Sequence, residues 1–131
     1  TSAAFCRHGA MGKRRLLVFG HAQSEHLARY VMPFVVTDDV HVATLHPSPH
    51  PPAWTEHVLP RRTGGELDYL LAIPAASRVV RAVQPTLIQA HYATGYGTIG
   101  AFVSADCPRA LTAWGSDVTV TSTRRVLVRA S

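Results

Sequence analysis

Arg14-Arg15-Leu16-Leu17-Val18-Phe19-Gly20 is a short unbroken apolar run that starts at two charges and stops at a glycine. A surface strand would alternate apolar and polar residues, so a run apolar at every position predicts a strand covered on both faces, as in a parallel sheet. The next segment is helical in spacing. Ser24 and Glu25 lead into Leu27, Tyr30, Val31, Phe34 and Val35, which recur every three or four residues behind an N-cap; Pro33 is expected to kink or shorten this helix. Val40 to Leu45, rich in β-branched residues, reads as a second strand ending at His46-Pro47.

Further along, the segment from Pro47 to Pro60 holds five of the nine prolines and reads as a surface excursion, with a short strand expected at His57-Val58-Leu59. Glu66 to Val83 is helical in period but carries Pro74, which predicts one kinked helix or two short ones. Pro85 to His91 is strand-like. Tyr92 to Ala105 mixes Gly95, Gly97 and Gly100 with apolar residues, as expected of a helix packed closely on a sheet. Arg109 to Trp114 is a further strand, and Val118 to Ser131 is expected to form a helix from about Thr121-Ser122 and then a strand over Arg125 to Val128. Alternation of this kind predicts βαβ units: an α/β fold with a Rossmann-like parallel sheet and helices on both faces.

Composition bounds the alternatives. The 131 residues fit one domain, 47% apolar and 16% charged, too hydrophobic for a disordered chain. Thr1 to Gly12 reads as a loose leader without the apolar core of a signal peptide, and the fold is expected over 13–131. No apolar run approaches the roughly 18 residues that cross a bilayer. The expected location is therefore cytoplasmic, with room for a peripheral contact at the inner, anionic face of the membrane. Thirteen Lys and Arg against eight Asp and Glu give +5, but the arginines are scattered in pairs without interleaved aromatics, which argues against nucleic acid. Cys6 and Cys107 lack CxxC spacing and read as free thiols.

Three polar clusters fall at predicted strand ends, where parallel α/β sheets bind ligands. In Gly20-His21-Ala22-Gln23-Ser24-Glu25-His26, the glycine permits close backbone approach, and Ser24 with the helix N–H groups could hold a phosphate or a hydroxyl; Ser24 could equally do no more than cap the helix. GxGxxG is absent. In Gln89-Ala90-His91-Tyr92-Ala93-Thr94-Gly95-Tyr96-Gly97, a strand-end histidine precedes a glycine-containing turn, placed to donate to a sugar hydroxyl or an anion. In Trp114-Gly115-Ser116-Asp117, the aspartate could accept from a substrate hydroxyl or cap a helix.

Taken in order, these clusters resemble the N-terminal domain of glycosyltransferase family 4. That family pairs a G-x-x-x-S-x-H loop with a strand close to P-D-[LIV]-[LIV]-H-x-H-[YF] and a later W-G-S-D; the likeness spans residues 14–131. Thr86 stands where the family has Asp, and Gln89 stands in place of its first histidine. The resemblance implies a retaining GT-B transferase moving a sugar from a nucleotide-sugar donor to a glycan, lipid-linked or small-molecule acceptor, without cofactor or bound metal. By position it implies His91 as the catalytic histidine near the transferred sugar and diphosphate. It likewise implies Gly20, Ser24, His26, Tyr92, Gly95, Ser116 and Asp117 as cleft residues. In the family a second Rossmann-like domain binds the donor; it is not among these 131 residues, so the chain by itself is expected to lack robust transfer.

Two other classes compete. A metal-dependent hydrolase is suggested by eight histidines, with His46, His50 and His57 crowding the proline-rich loop, although HExxH is missing. A non-enzymatic flavodoxin-like or receiver module is suggested by Asp38-Asp39, although that pair precedes a strand rather than ending one.

Overall fold

The computed structural model describes residues 14–50, 52–91 and 95–112. The leader 1–12 and everything expected beyond 112 lie outside the described residues. The unbroken apolar run forms β1 (Arg15–Phe19), and Leu17, Val18 and Phe19 are fully buried. Burying such side chains stabilises the fold by about 1.5–3 kcal/mol each. β1 is the middle strand of a five-stranded parallel sheet that also holds β2 (Asp39–Thr44), β3 (Thr55–Val58), β4 (Leu87–His91) and β5 (Arg109–Thr112). The order is β3-β2-β1-β4-β5, with Leu16 paired to Val40 on one side and to Leu87 on the other. This is the Rossmann-like α/β sheet. Connections leave β1 toward β2 and return across it to β4, so the chain reverses its winding between β1 and β4, the place where such sheets open a crevice.

Strand parity sorts the core. Leu16, Val18, Val40 and Val42 face α1 (Glu25–Val35) through its Leu27 and Val31. Leu17, Phe19, Ala43, Ile88 and Ala90 face the other way. There they meet α3 (Ile73–Val83), which follows the short α2 (Leu67–Leu71), and α4 (Tyr96–Phe102). Pro33 does not stop α1, which runs on to Val35; the proline is exposed and sits near the helix end. Pro74 instead takes the second position of α3, where a missing N–H costs nothing, and divides the helical stretch in two. The expected strand at 57–59 is found slightly earlier, at Thr55–Val58, and the helix expected over 92–105 is described as Tyr96–Phe102.

The two departures from the family's strand motif have structural roles. Thr86, buried, receives the Arg15 N–H at 3.1 Å and donates to the Arg15 carbonyl at 3.2 Å, which fixes the register of β4 on β1. Gln89, also buried, donates to the Thr112 hydroxyl and ties β4 to β5. At the opposite end of the sheet from the strand termini, Arg14 grips Asp38 with two bonds, at 3.0 and 3.2 Å. Asp38 is therefore an ion-pair partner at the start of β2, far from where a receiver module needs its carboxylate.

Candidate functional site

Each strand of a parallel sheet leaves its last carbonyl and the loop after it at the same edge, so the residues following β1, β2, β3 and β4 are neighbours whatever their separation in sequence. Gly20 directly follows β1, is buried, and donates its N–H to the Ala43 carbonyl at 3.3 Å. A β-carbon there would fall 3.6 Å from the His91 Cβ and 2.5 Å from Leu27 Cδ1, so the glycine is what lets β1, β4 and α1 close together. Ser24 is the N-cap of α1, its hydroxyl accepting from the His26 N–H at 3.2 Å, and the His26 side chain is exposed on the first turn. Gly95 begins α4 with φ +64, and a β-carbon would lie 3.0 Å from the Tyr69 ring. Tyr92, Ser116 and Asp117 lie outside the described residues.

His91 ends β4 but is only 1% exposed. Parity with Leu87 and Gln89 turns it to the α1 face, where the Tyr30 ring meets it edge-on at 4.7 Å. Burial in that apolar setting pushes its imidazole down to about 4, so it is neutral at pH 7. The structure thus brings Gly20 and His91 side by side and places Ser24 and His26 on the loop and helix after Gly20.

A second group gathers on the other face. His46, just past β2, stacks on His21 with ring centres 4.0 Å apart and planes 6° from parallel. Its Nδ1 lies 2.7 Å from the hydroxyl of Tyr96, the first residue of α4. That hydroxyl also accepts the Leu45 N–H at 2.9 Å, and burial pushes it up to about 12. Burial lowers both imidazoles below the ordinary histidine range, with the Arg61 guanidinium adding to it in each case. Beside them is a cavity of about 220 Å³ lined by Leu45, His46, Arg61, Glu66, Asp68 and Tyr69 among others.

The loop carrying Arg61 is tied down by one carboxylate. Asp68, 2% exposed, accepts the N–H groups of Thr63 at 2.7 Å, Arg62 at 3.0 Å and Gly64 at 2.8 Å, together with the Thr63 hydroxyl at 3.0 Å. Those bonds, the Thr63 N–H first, hold its carboxyl down to about 2. The proline-rich loop is pinned in a similar way through Glu56, which accepts from Ser48 N and Oγ and from Trp54 Nε1.

In the sequence His21 and Tyr96 stand out only as members of the clusters and His46 only as a metal ligand, while Arg61, Asp68 and Tyr69 do not stand out. No local pattern announces a pair 50 residues apart; the one available signal is that His46 directly follows a predicted strand. The three crowded histidines diverge: His46 turns to Tyr96, His57 lies 3.0 Å from His41 on the neighbouring strand, and His50 is exposed. Among the described residues no three His, Cys, Asp or Glu gather as a metal site, and no helix is long and apolar enough to cross a membrane.

Compared with known proteins, residues 15–130 match the family described as glycosyl transferase 4-like, nearly the whole chain. No curated protein matches the chain.

Proposed function

The chain belongs to the glycosyl transferase 4-like family, and from that premise we propose that this glycosyltransferase-type domain forms the acceptor-side wall of a retaining sugar-transfer site. The donor in this reading is a nucleotide sugar, bound mainly by a second Rossmann-like domain of GT-B type. The acceptor is a glycan, a lipid-linked sugar or a small polyol. One observation carries the reading: past the ends of β2 and β3, a cavity of about 220 Å³ is lined by His46 and Arg61 as donors, by the Glu66 carboxylate and by the ring of Tyr69. Those groups complement a hydroxylated ring, whose oxygens both accept and donate and whose C–H faces pack on aromatics.

His91 is assigned in this reading to the sugar and diphosphate of the donor. Since it is 1% exposed beneath Tyr30, that role requires the Tyr30 ring to swing off the imidazole when donor binds. Neutral at pH 7, His91 then acts as a hydrogen-bond donor and not as a fixed positive charge. Peripheral contact with anionic lipid, through exposed Arg61, which lines the cavity, and its exposed neighbour Arg62, is compatible with a lipid-linked acceptor.

The test is amide NMR of the chain titrated in turn with methyl glycosides and with nucleotide sugars. The expected result is that glycosides shift the amides of Thr63 to Gly65 and Tyr69. Glycosides leaving those amides unmoved while a nucleotide sugar shifts them would reverse the assignment of the cavity from acceptor to donor.

A further inference from the structure

The hydrogen bonds around Tyr96 settle which nitrogen of His46 carries its proton. A hydroxyl has one hydrogen and two lone pairs. The Thr44 oxygen accepts the His46 N–H at 2.9 Å and the Ala22 N–H at 3.3 Å, which occupies both lone pairs. Its own hydrogen goes to the His46 carbonyl at 3.1 Å or to the Tyr96 oxygen at 3.3 Å. Either way Thr44 has no lone pair left for the Tyr96 hydrogen. The Leu45 N–H, at 2.9 Å, points its hydrogen at Tyr96 and takes none. Among the described residues, the remaining destination for the Tyr96 hydrogen is His46 Nδ1, at 2.7 Å. Nδ1 is therefore the acceptor, and the neutral ring carries its proton on Nε2.

The same network prevents the ring from turning over. A flip would remove Nδ1 from Tyr96, and His21 lies parallel against the ring at 4.0 Å. Tyr96 itself is 2% exposed, wedged edge-on against Tyr69 at 5.1 Å. His46 thus lines the cavity as an imidazole of fixed orientation and fixed tautomer, and Glu66 and Tyr69 line the same cavity.

We propose that His46 is a specificity-determining residue of the cavity, donating Nε2–H to a hydroxyl oxygen of a saccharide acceptor, with Tyr96 as the residue that positions it. The proposal rests on the acceptor-side reading of the cavity. Because burial, stacked His21 and nearby Arg61 all disfavour protonation, the donor is a neutral N–H across the neutral pH range. It suits an uncharged oxygen whose own hydrogen is passed to a carboxylate such as Glu66.

The experiment uses the chain labelled with 15N-histidine, observed by long-range proton-nitrogen correlation at pH 7 and titrated with methyl glycosides. In the unsubstituted chain His46 is expected to show an unprotonated Nδ1 and a protonated Nε2 whose resonance moves on glycoside addition. Tyr96→Phe keeps the ring packing but removes the lock; the expected result is a mixed tautomer signature and glycoside binding weakened about threefold to fivefold, the effect of losing a positioning hydrogen bond. His46→Gln places an amide N–H near the Nε2 position and is expected to bind within about threefold of the parent, whereas His46→Asn reaches only the Nδ1 position and loses about tenfold, or 1.4 kcal/mol.

A proton found on Nδ1 overturns the proposal, as does equal binding by the Gln and Asn variants. So does glycoside binding that leaves the His46 nitrogens unmoved, a result under which the acceptor-side reading itself survives. If no glycoside binds at all, that broader reading fails and the role of His46 falls with it, while the tautomer measurement still reports whether Tyr96 holds the ring.

Discussion

His46 and His91 both follow or end strands that flank β1, yet they occupy opposite faces of the sheet and different solvents. His91 shares the parity of Leu87 and Gln89, so it points beneath α1 and is 1% exposed against Tyr30. His46 lies two residues past the end of β2, free of strand parity, and turns toward α4 and an open cavity. The lesson is that a strand-end histidine is defined by its face as much as by its place in the chain. One is kept neutral by deep burial, and the other is oriented by an ordered chain of hydrogen bonds that leaves a donor available.

The largest effect that separates them is the pH dependence of stability. In the unfolded chain His91 takes a proton near its ordinary value of 6.5, whereas in the folded chain it resists until about pH 4. Below 6.5 the unfolded state binds more protons, so stability falls as pH drops from about 6.5 to about 4, by about 3 kcal/mol in all, and no further from this group. His21, His46 and His57, half-buried, act with the same sign. Asp68 acts in a separate window: its carboxyl is held down to about 2, so its contribution is present above the ordinary value of 3.8 and is lost as pH falls toward 2. Urea denaturation at pH steps between about 4 and 7.5 should show the slope, and His91→Leu should remove most of it. A slope unchanged in that variant would move the titrating group elsewhere. The 1% exposure also means that His91→Ala disturbs folding as well as any transfer step.

The two faces also differ in how tightly the helices lie on the sheet. A β-carbon on Gly100 of α4 would fall 2.8 Å from the Cβ of Ala90, which is fixed to the strand backbone. On the α1 face, a β-carbon on Gly20 would fall 2.5 Å from Leu27 Cδ1, the end of a side chain that can rotate. Gly100→Ala should therefore cost about 2 kcal/mol even after the better helix propensity of alanine is counted, and Gly20→Ala about 1 kcal/mol. Thermal or urea midpoints check the order. If Gly20→Ala proves the more damaging, the α1 face is the stiffer of the two and the Tyr30 ring cannot swing from His91 as the donor role requires.

The strands were legible because burial on both faces leaves an unbroken apolar run, as in Leu16 to Phe19, and because Gly20, Ser24 and His91 stand directly at element ends. The family resemblance followed from those same positions. What the sequence could not express is contact across the sheet edge. His46 and Tyr96 meet only because β2 and α4 are brought to one rim by a winding order that no local pattern encodes. Asp68 was hidden for a related reason: its partners are backbone N–H groups of Arg62 to Gly64, a donor common to every residue but proline. Pro33 does not shorten α1 because a proline near a helix end, exposed, loses one hydrogen bond without displacing packed side chains.

The smallest effect bears on Ser24, which the sequence left open between capping and binding. Its hydroxyl accepts the His26 N–H at 3.2 Å, so Ser24→Ala should lose about 1 kcal/mol of stability through the exposed helix end. Ser24→Asp supplies another good cap and adds a negative charge where the helix dipole favours one, so it should restore that loss. The pair of variants separates the two roles. Because Ser24 belongs to the α1 side and His46 to the cavity side, methyl glycoside binding should be the same in both variants as in the parent chain. A fall in that binding for Ser24→Asp at unchanged stability would place the hydroxyl on the acceptor wall and join the two regions into one site.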